Sequence, residues 1–267
     1  MANKKERVDI LLVERGLIDT REKARRSIMA GLVYSDFERI DKPGTKIDAS
    51  TTLHVKGEEC AYVSRGGLKL EKAIQSFNLD LAEQLILDVG ASTGGFTDCA
   101  LQNGAKEVYA VDVGYNQLHW KLRSDERVHV MERMNFRYAN AEDFKSGQPD
   151  FAVCDVSFIS LKHIFQPMAR ILKESGQAVV LIKPQFEAGR EEVGKKGIVR
   201  DAKIHKRVIQ EVIDFAFSNQ LYAKGLDVSP ITGAGGNVEF LLYLSKMPTS
   251  NQITDQKIIQ VVQDAHK

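Results

Sequence analysis

The stretch Leu85-Ile-Leu-Asp-Val-Gly-Ala-Ser-Thr-Gly-Gly-Phe-Thr-Asp98 joins a short apolar segment to a glycine-rich turn. Residues 85–89 have the length and composition of a buried strand, and the residues after the turn open a helix. Glycines let a ligand approach the backbone, and the free amides at a helix start suit an electronegative group. The turn is neither a Walker A motif nor the spaced G-x-G-x-x-G of dinucleotide folds. It predicts a strand, turn and helix that bind a ligand at the carboxyl end of the strand.

From Leu85 onward, apolar segments of about five residues alternate with helical stretches, which is typical of a parallel sheet covered on both faces. The predicted strands are Leu85–Val89, Val108–Val113, Val128–Met131, Phe151–Asp155, Ala178–Lys183, Gly225–Val228 and Val238–Ser245. The last strand follows Gly233-Ala-Gly-Gly236 after a connection too short for a crossover helix, so we expect it to pair antiparallel with its predecessor. Lys257–Ala265 is predicted to form a closing helix.

The first sixty residues have a different pattern of predicted elements from the rest of the chain. We therefore expect a small domain at 1–60 before a larger one at 61–267. A first helix carries Val8, Leu11 and Leu12. A second helix is expected between Thr20, which stands at the N-cap position, and Gly31, where a helix stops. Its exposed side is basic, with Arg21, Lys23, Arg25 and Arg26. Such a face fits RNA, although on charge alone a solvated helix face explains the same pattern.

Composition excludes several classes of protein. The 37 Lys and Arg nearly cancel the 36 Asp and Glu, so any basic surface must be local. The apolar runs are too short for a membrane span and no signal-peptide core follows the Lys-rich start, which predicts a cytoplasmic protein. Cys60, Cys99 and Cys154 lie far apart and the six histidines lack metal-ligand spacing, so we expect neither a disulfide nor a zinc site.

Acidic residues at strand ends indicate a nucleoside-containing cofactor. Asp112 ends the second predicted strand, 22 residues after Gly90, where a carboxylate can accept both hydroxyls of a ribose. Asp88 ends the first strand and has the alternative role of a turn-capping carboxylate. Asp143, before the fourth strand, is a candidate contact for an adenine amino group, although carboxylates are common in surface loops.

Charged residues also close the later strands. Asp155 ends the fourth, Lys183 ends the fifth, and Glu239 opens the antiparallel strand, so all three are expected at the ligand edge of the sheet. A lysine at the end of an apolar strand is costly unless it is paired, functional or able to reach the surface. These positions predict Lys183 between two carboxylates beside the nucleoside site. A further lysine, Lys69, lies in the first turns of an earlier helix.

Together, the glycine-rich loop and Lys69, Asp155, Lys183 and Glu239 resemble the Lys-Asp-Lys-Glu tetrad of the FtsJ-like ribose 2'-O-methyltransferases. The chain is still more similar to the TlyA family, which is also labelled haemolysin A. The segments that carry this resemblance are Ser64-Arg-Gly-Gly-Leu-Lys-Leu70, Val111-Asp-Val-Gly-Tyr115, Asp155-Val-Ser-Phe-Ile-Ser-Leu161, Ile182-Lys-Pro-Gln-Phe-Glu-Ala-Gly-Arg190 and Gly236-Asn-Val-Glu-Phe240. The N-terminal segment, with Arg7-x-Asp9, Thr20-Arg21 and Gly31-x-Val33, resembles the S4-like RNA-binding domain of that family.

The resemblance implies a Rossmann-like α/β methyltransferase sheet of seven strands with the last antiparallel, preceded by an S4-like α+β domain. It implies methyl transfer from S-adenosylmethionine to a ribose 2'-hydroxyl of ribosomal RNA, with cytidine as the nucleotide and without a metal. The tetrad would be catalytic, with Lys183 as the base or as a group that positions the hydroxyl. Cofactor contacts are assigned to Asp88, Gly90, Ala91, Ser92, Thr93, Gly94, Gly95, Phe96, Asp112, Val113, Asp143 and Asp155. RNA contacts are assigned to Arg7, Arg21, Lys23, Arg25, Arg26 and Arg65.

Two alternatives stay open at this point. One is a membrane-active, toxin-like protein, which the haemolysin label suggests but which lacks a spanning segment, a long amphipathic stretch and an export signal. The other is a non-catalytic RNA-binding protein on a degenerate methyltransferase fold, which loss of a tetrad residue would have favoured. The expected partner is ribosomal RNA or a ribosomal subunit, and the sequence does not determine an oligomeric state.

Overall fold

A computed structural model describes residues 5–35, 38–55, 61–248 and 253–266 of the chain. The chain divides into two units, residues 1–60 and residues 61–267. Cys60, one of the three cysteines considered above, lies outside the described residues, whereas Cys99 and Cys154 are buried and free.

The first unit is a small α+β structure built around one apolar cluster. Its elements are β1 (Lys5–Arg7), α1 (Val8–Glu14), α2 (Arg21–Met29), β2 (Val33–Ser35), β3 (Glu38–Arg39), β4 (Lys46–Asp48) and β5 (Leu53–Val55). Strand β1 pairs antiparallel with β4, and β2 pairs antiparallel with both β3 and β5. Thr20 caps α2, because its Oγ1 accepts a hydrogen bond from the Lys23 N–H at 3.2 Å. Leu12 and Ile28 are fully buried between the elements.

The second unit is a seven-stranded sheet with helices on both faces. Its helices and strands are α3 (Gly67–Phe77), β6 (Leu85–Val89), α4 (Gly95–Gln102), β7 (Glu107–Val111), α5 (Trp120–Arg123), β8 (Val128–Met131), β9 (Phe151–Cys154), α6 (Lys162–Ile171), β10 (Gln177–Ile182), α7 (Pro184–Glu187), α8 (Ala202–Ser218), β11 (Tyr222–Val228), β12 (Phe240–Ser245) and α9 (Asp255–Asp264). Short 3-10 helices lie at Phe136–Tyr138, Ala141–Asp143 and Arg190–Glu192.

The order of strands in this sheet is β11-β12-β10-β9-β6-β7-β8. Strand β12 runs antiparallel to both β10 and β11, and the remaining neighbours are parallel. The predicted fold class is therefore confirmed. Strands β6 and β9 are buried along their whole length, which explains why their sequences are nearly continuous apolar runs.

Several strands differ from their predicted bounds by one to three residues. The largest difference is at the start of β11, which begins at Tyr222 instead of Gly225, and the differences that concern the site fall at the ligand edge. Strands β7, β9 and β10 end one or two residues early, so Asp112, Asp155 and Lys183 follow their strands, and β12 starts after Glu239. The backbone leaves the ladder where these polar side chains turn out of the sheet, while the Asp155 N–H still donates to the Val89 carbonyl at 3.1 Å. The chain reverses its direction of winding at β6, between β9 and β7, so a crevice forms at the carboxyl ends of these three strands.

No helix among the described residues is long and apolar enough to cross a membrane.

Candidate active site

The glycine-rich turn between β6 and α4 holds a backbone shape that side chains would obstruct. Gly90 has φ +83°, and a Cβ there would lie 2.9 Å from the Asp155 carbonyl oxygen. Gly94 has φ +97°, and a Cβ there would lie 2.3 Å from a Leu122 methyl carbon. Both positions favour glycine through the left-handed conformation and through the missing space. The turn therefore passes directly over Asp155, the residue that follows β9.

Asp88 lies beneath this turn and is fully buried. Its Oδ2 accepts a hydrogen bond from the Thr97 hydroxyl at 2.6 Å, and its Oδ1 has no hydrogen-bond partner among the described residues. Burial raises the pKa of Asp88 to about 7, against the opposing effect of the Thr97 hydrogen bond. Asp88 lines neither cavity described below, which fits the alternative role of a carboxylate that supports the turn.

One cavity, which we call the Asp112 cavity, has a volume of about 370 Å³ at the carboxyl ends of β6 and β7. Its lining consists of Val89, Gly90, Ser92, Val111, Asp112, Val113, Gln117, Met134, Asn135, Phe136, Asp155, Val156, Ser157, Phe158, Ile159 and Ile164. The Asp112 carboxylate is fixed by two backbone donors, because Oδ2 accepts from the Ser92 N–H and Oδ1 from the Gly114 N–H, each at 2.7 Å. Each oxygen keeps a lone pair for a further donor, such as a hydroxyl.

The adenine contact assigned to Asp143 has no support in the geometry. Asp143 is exposed, does not line the Asp112 cavity, and accepts a hydrogen bond from the Asn140 N–H at 2.8 Å, which caps the short helix Ala141–Asp143. Sequence reasoning missed Asn135 and Phe136, which do line the cavity. Their signal was position, because they follow β8 at the same sheet edge as Asp112.

A second cavity, the cluster cavity, has a volume of about 420 Å³ and adjoins the first. The two share Gly90, Ser92, Asp155 and Ser157. The rest of its lining is Ser64, Arg65, Gly66, Lys69, Ala91, Thr93, Gly95, Phe96, Lys183, Ile231, Thr232 and Gly233. Most of the predicted cofactor residues thus line one cavity or both. Gly94 is buried against Leu118 and Leu122 instead.

The four tetrad residues meet beside this cavity, and we call them the lysine–carboxylate cluster. Lys69 Nζ, from the first turn of α3, lies 3.0 Å from Asp155 Oδ2 and 2.7 Å from Glu239 Oε2. Lys183 Nζ lies 2.5 Å from Asp155 Oδ1. The prediction that Lys183 lies between two carboxylates was therefore wrong. Lys69 is the lysine that lies between two carboxylates, because α3 brings its side chain between the end of β9 and the start of β12.

The charges of the cluster support one another. Burial opposes the charged form of Lys69, but Asp155 and Glu239 outweigh it and raise the pKa of the ammonium. Burial likewise acts against the charged form of Asp155, but Lys183 and Lys69 together hold the pKa of that carboxyl below its usual range. Lys69 stays protonated and Asp155 stays ionised at neutral pH.

Ser157 is a neighbour of the cluster that sequence reasoning did not single out. Lys183 Nζ donates a hydrogen bond to Ser157 Oγ at 3.0 Å, in addition to its contact with Asp155. The Ser157 side chain lines both cavities. Its signal was its place two residues after Asp155 in the same strand-end loop.

The loop before β12 closes the cluster on another side. A Cβ at Gly233 would lie 2.1 Å from Glu239 Oε1, so the backbone of this loop packs directly on the carboxylate. Arg65 is exposed and lines the cluster cavity, which leaves it available to a charged ligand. The described residues contain no group of three or more His, Cys, Asp or Glu arranged to hold a metal ion.

Several basic residues of the first unit form ion pairs within the chain. Asp9 is buried and binds Arg7 Nε at 2.8 Å and Arg21 Nε at 3.0 Å, and these two cations, Arg7 foremost, lower its pKa. Lys23 pairs with Asp19 at 3.0 Å on the surface. Arg25 and Arg26 are exposed on α2. The RNA contacts assigned to these residues stay predictions.

Comparisons with known proteins agree with this architecture. The family model described as FtsJ-like methyltransferase matches residues 62–246, and the S4 domain model matches residues 6–53. A Bacillus subtilis protein named "Putative rRNA methyltransferase YqxC" is 57% identical over 100% of this chain and 96% of its own length. The Mycobacterium tuberculosis protein named "16S/23S rRNA (cytidine-2'-O)-methyltransferase TlyA" is 41% identical over 90% of each chain.

A solved structure titled "Putative hemolysin from Streptococcus thermophilus" is 56% identical, covers 99% of this chain and 97% of its own, and superposes with a TM-score of 0.79. Each family model matches one of the two units that the structure shows, and these relatives span both units. The chain therefore belongs to the TlyA family of FtsJ-like methyltransferases, which carry an S4 domain ahead of the methyltransferase domain.

Proposed function

We propose that this protein transfers a methyl group from S-adenosylmethionine to a ribose 2'-hydroxyl of ribosomal RNA, with cytidine as the nucleotide. The observation that carries the proposal is the convergence of Lys69, Asp155, Lys183 and Glu239 beside a cavity that adjoins the Asp112 cavity. Family membership and the names of the relatives support the same reaction. We further propose residues 1–60 as the RNA-binding domain and residues 61–267 as the catalytic domain.

The Asp112 cavity fits the nucleoside part of S-adenosylmethionine. The fixed carboxylate of Asp112 offers acceptors for the two ribose hydroxyls, and Val113, Met134 and Phe136 offer apolar contact for an adenine ring. Gly90 lets the turn that lines this cavity pack closely on the Asp155 backbone, with which a Cβ would collide. Asp155 lines both cavities, so its negative charge would favour a cationic group held at their junction.

When bound, S-adenosylmethionine supplies an electrophilic methyl group on a positively charged sulfur, and the departing thioether is neutral. A ribose hydroxyl is a weak nucleophile at neutral pH, so the protein must help to remove its proton. Lys183 is the group placed for this task, because its amine reaches the cavity lining and is oriented by Asp155 and Ser157. It acts either as the base or as the group that fixes the hydroxyl.

Lys69 and Glu239 have supporting roles in this proposal. Lys69 stays protonated, neutralises part of the charge of both carboxylates and holds them in place. Glu239 fixes Lys69 from the side of β12. Asp155, shared by both lysines, orients the Lys183 amine at 2.5 Å.

A labelling experiment tests the function. Purified protein is incubated with tritiated S-adenosylmethionine and with separately purified small and large ribosomal subunits, and with the protein-free RNA of each, and any labelled nucleotide is mapped. We expect label on a ribose 2'-oxygen of cytidine in at least one of these substrates. Label only on bases, or no label in any of the four, contradicts the proposal.

A further inference from the structure

The segment between α7 and α8 contains a turn with a defined shape, residues 194–200, which we call the basic loop. The Gly194 N–H donates to the Ile198 carbonyl at 3.1 Å, and the Gly197 N–H donates to the Gly194 carbonyl at 2.8 Å. Gly197 has φ +72°, which favours glycine. Lys195 and Lys196 lie at the tip that these hydrogen bonds close. The loop thus presents two adjacent cations on an ordered backbone.

Asn237 anchors this loop next to the lysine–carboxylate cluster. Its side chain is 3% exposed, its Nδ2 donates to the Gly197 carbonyl at 2.8 Å, and its Oδ1 accepts from the Val199 N–H at 3.1 Å. Asn237 precedes Glu239 by two residues in the chain. A buried amide that bonds backbone at both ends fixes the loop to the strand edge that carries Glu239.

The cations of the basic loop have no acidic partner among the described residues. Lys195, Lys196 and Arg200 are exposed and line a cavity of about 510 Å³. The one carboxylate in that lining, Glu192, already accepts from Arg207 and from the Gly189 N–H. Because the whole chain is nearly neutral, this is a local excess of positive charge.

We propose that the basic loop binds backbone phosphates of the substrate RNA close to the target ribose. The inference rests on the proposed function, since a ribose held at the cluster brings its flanking phosphates to the same edge of the sheet. Exposed, uncompensated lysines on an ordered turn suit phosphate contacts, which position RNA without reading its sequence. The methyltransferase unit would then contribute its own RNA affinity, in addition to that of the basic helix α2.

The test compares two double variants of the full chain with equal charge change. Lys195→Ala/Lys196→Ala removes the tip of the basic loop. Lys106→Ala/Lys145→Ala removes two exposed lysines near β7 and β8, at the other end of the strand order from β12. Lys106 precedes β7, and Lys145 adjoins Ser146, which contacts His129 in β8. Affinity for purified ribosomal RNA is measured by fluorescence anisotropy across a salt series, with calorimetry of S-adenosylhomocysteine as the folding control.

We expect the loop variant to bind RNA about tenfold more weakly at low salt, and its log–log salt slope to be shallower by about 1 for each lysine removed. The control variant and cofactor affinity should stay near wild type. Unchanged RNA binding by the loop variant, or equal weakening by the control, overturns the inference. Wild-type protein assayed in parallel separates the two hypotheses, because absence of any methylated ribose defeats the proposed function, whereas normal methylation with unchanged loop-variant binding defeats only the loop assignment.

Discussion

Lys69 and Glu239 form a buried ion pair across the sheet edge, with Nζ and Oε2 2.7 Å apart and both side chains less than a tenth exposed. The pair joins the first turn of α3 to the residue before β12. Asp155 completes the arrangement at 3.0 Å from the same ammonium. One cation thus holds two carboxylates in place, and the second lysine, Lys183, is oriented by the shared carboxylate and by Ser157.

Removal of Lys69 should destabilise the fold. Lys69→Ala leaves Asp155 and Glu239 buried with less compensation, and breaking a buried ion pair by deleting one partner costs about 3–5 kcal/mol. Lys72, on the same helix, pairs with Asp227 at 3.3 Å on a more exposed surface, so Lys72→Ala should cost less than about 1 kcal/mol. Urea unfolding of both variants measures the difference. Equal destabilisation of the two would contradict this account of the cluster.

The sequence predicted the sheet well because short, continuous apolar segments are typical of strands that are buried on both faces of a parallel sheet. It also predicted which polar residues reach the ligand edge, since strand order and strand ends determine that. It did not predict which ammonium lies between the carboxylates. That depends on how α3, which precedes the sheet in the chain, packs against β12, and no local pattern encodes this packing. The sequence also does not separate the two roles open to Asp143, because a helix cap and a ligand contact use the same residue type.

Asp112 should be important for cofactor affinity, and Asp143 should not. Asp112→Ala removes hydrogen bonds to a charged acceptor, worth about 1.5–3 kcal/mol, so calorimetry should show S-adenosylmethionine binding weakened by roughly 10- to 150-fold. Asp143→Ala, a matched aspartate outside the cavity, should bind nearly as wild type. A large loss in the Asp143 variant would restore the adenine assignment of that residue.

Asp88 should make stability depend on pH. Its pKa in the fold is about 7, well above that of an unfolded aspartate, so between these two values the native state holds a proton that the unfolded state lacks. The stability contributed by this group is therefore present at low pH and is lost as pH rises towards 7, at most about 1.4 kcal/mol per pH unit.

Asp88→Asn keeps a neutral acceptor for the Thr97 hydroxyl and removes the titration. Urea unfolding from pH 5 to 8 should show the variant gaining stability relative to wild type up to about pH 7 and no further above it. A stability difference that is constant with pH would show that Asp88 is ionised throughout the range.

Lys183 should control the chemical step rather than binding. Lys183→Ala should lower single-turnover methylation by about 10² to 10⁴-fold, the usual range for general acid–base help, with affinities for S-adenosylmethionine and RNA nearly unchanged. Lys183→Arg separates the two roles left open for this residue. A guanidinium does not give up its proton but still positions a hydroxyl, so an inactive arginine variant indicates a base, and a largely active one indicates positioning. A Lys183→Ala enzyme that keeps most of its single-turnover rate would exclude both roles.

Ser157→Ala should lower the rate less than Lys183→Ala, because the amine keeps its contact with Asp155, and Ser157→Thr should recover part of the loss. Ser160→Ala is the matched control on the same loop, since that hydroxyl bonds Glu187 instead, and its rate should stay at the wild-type value.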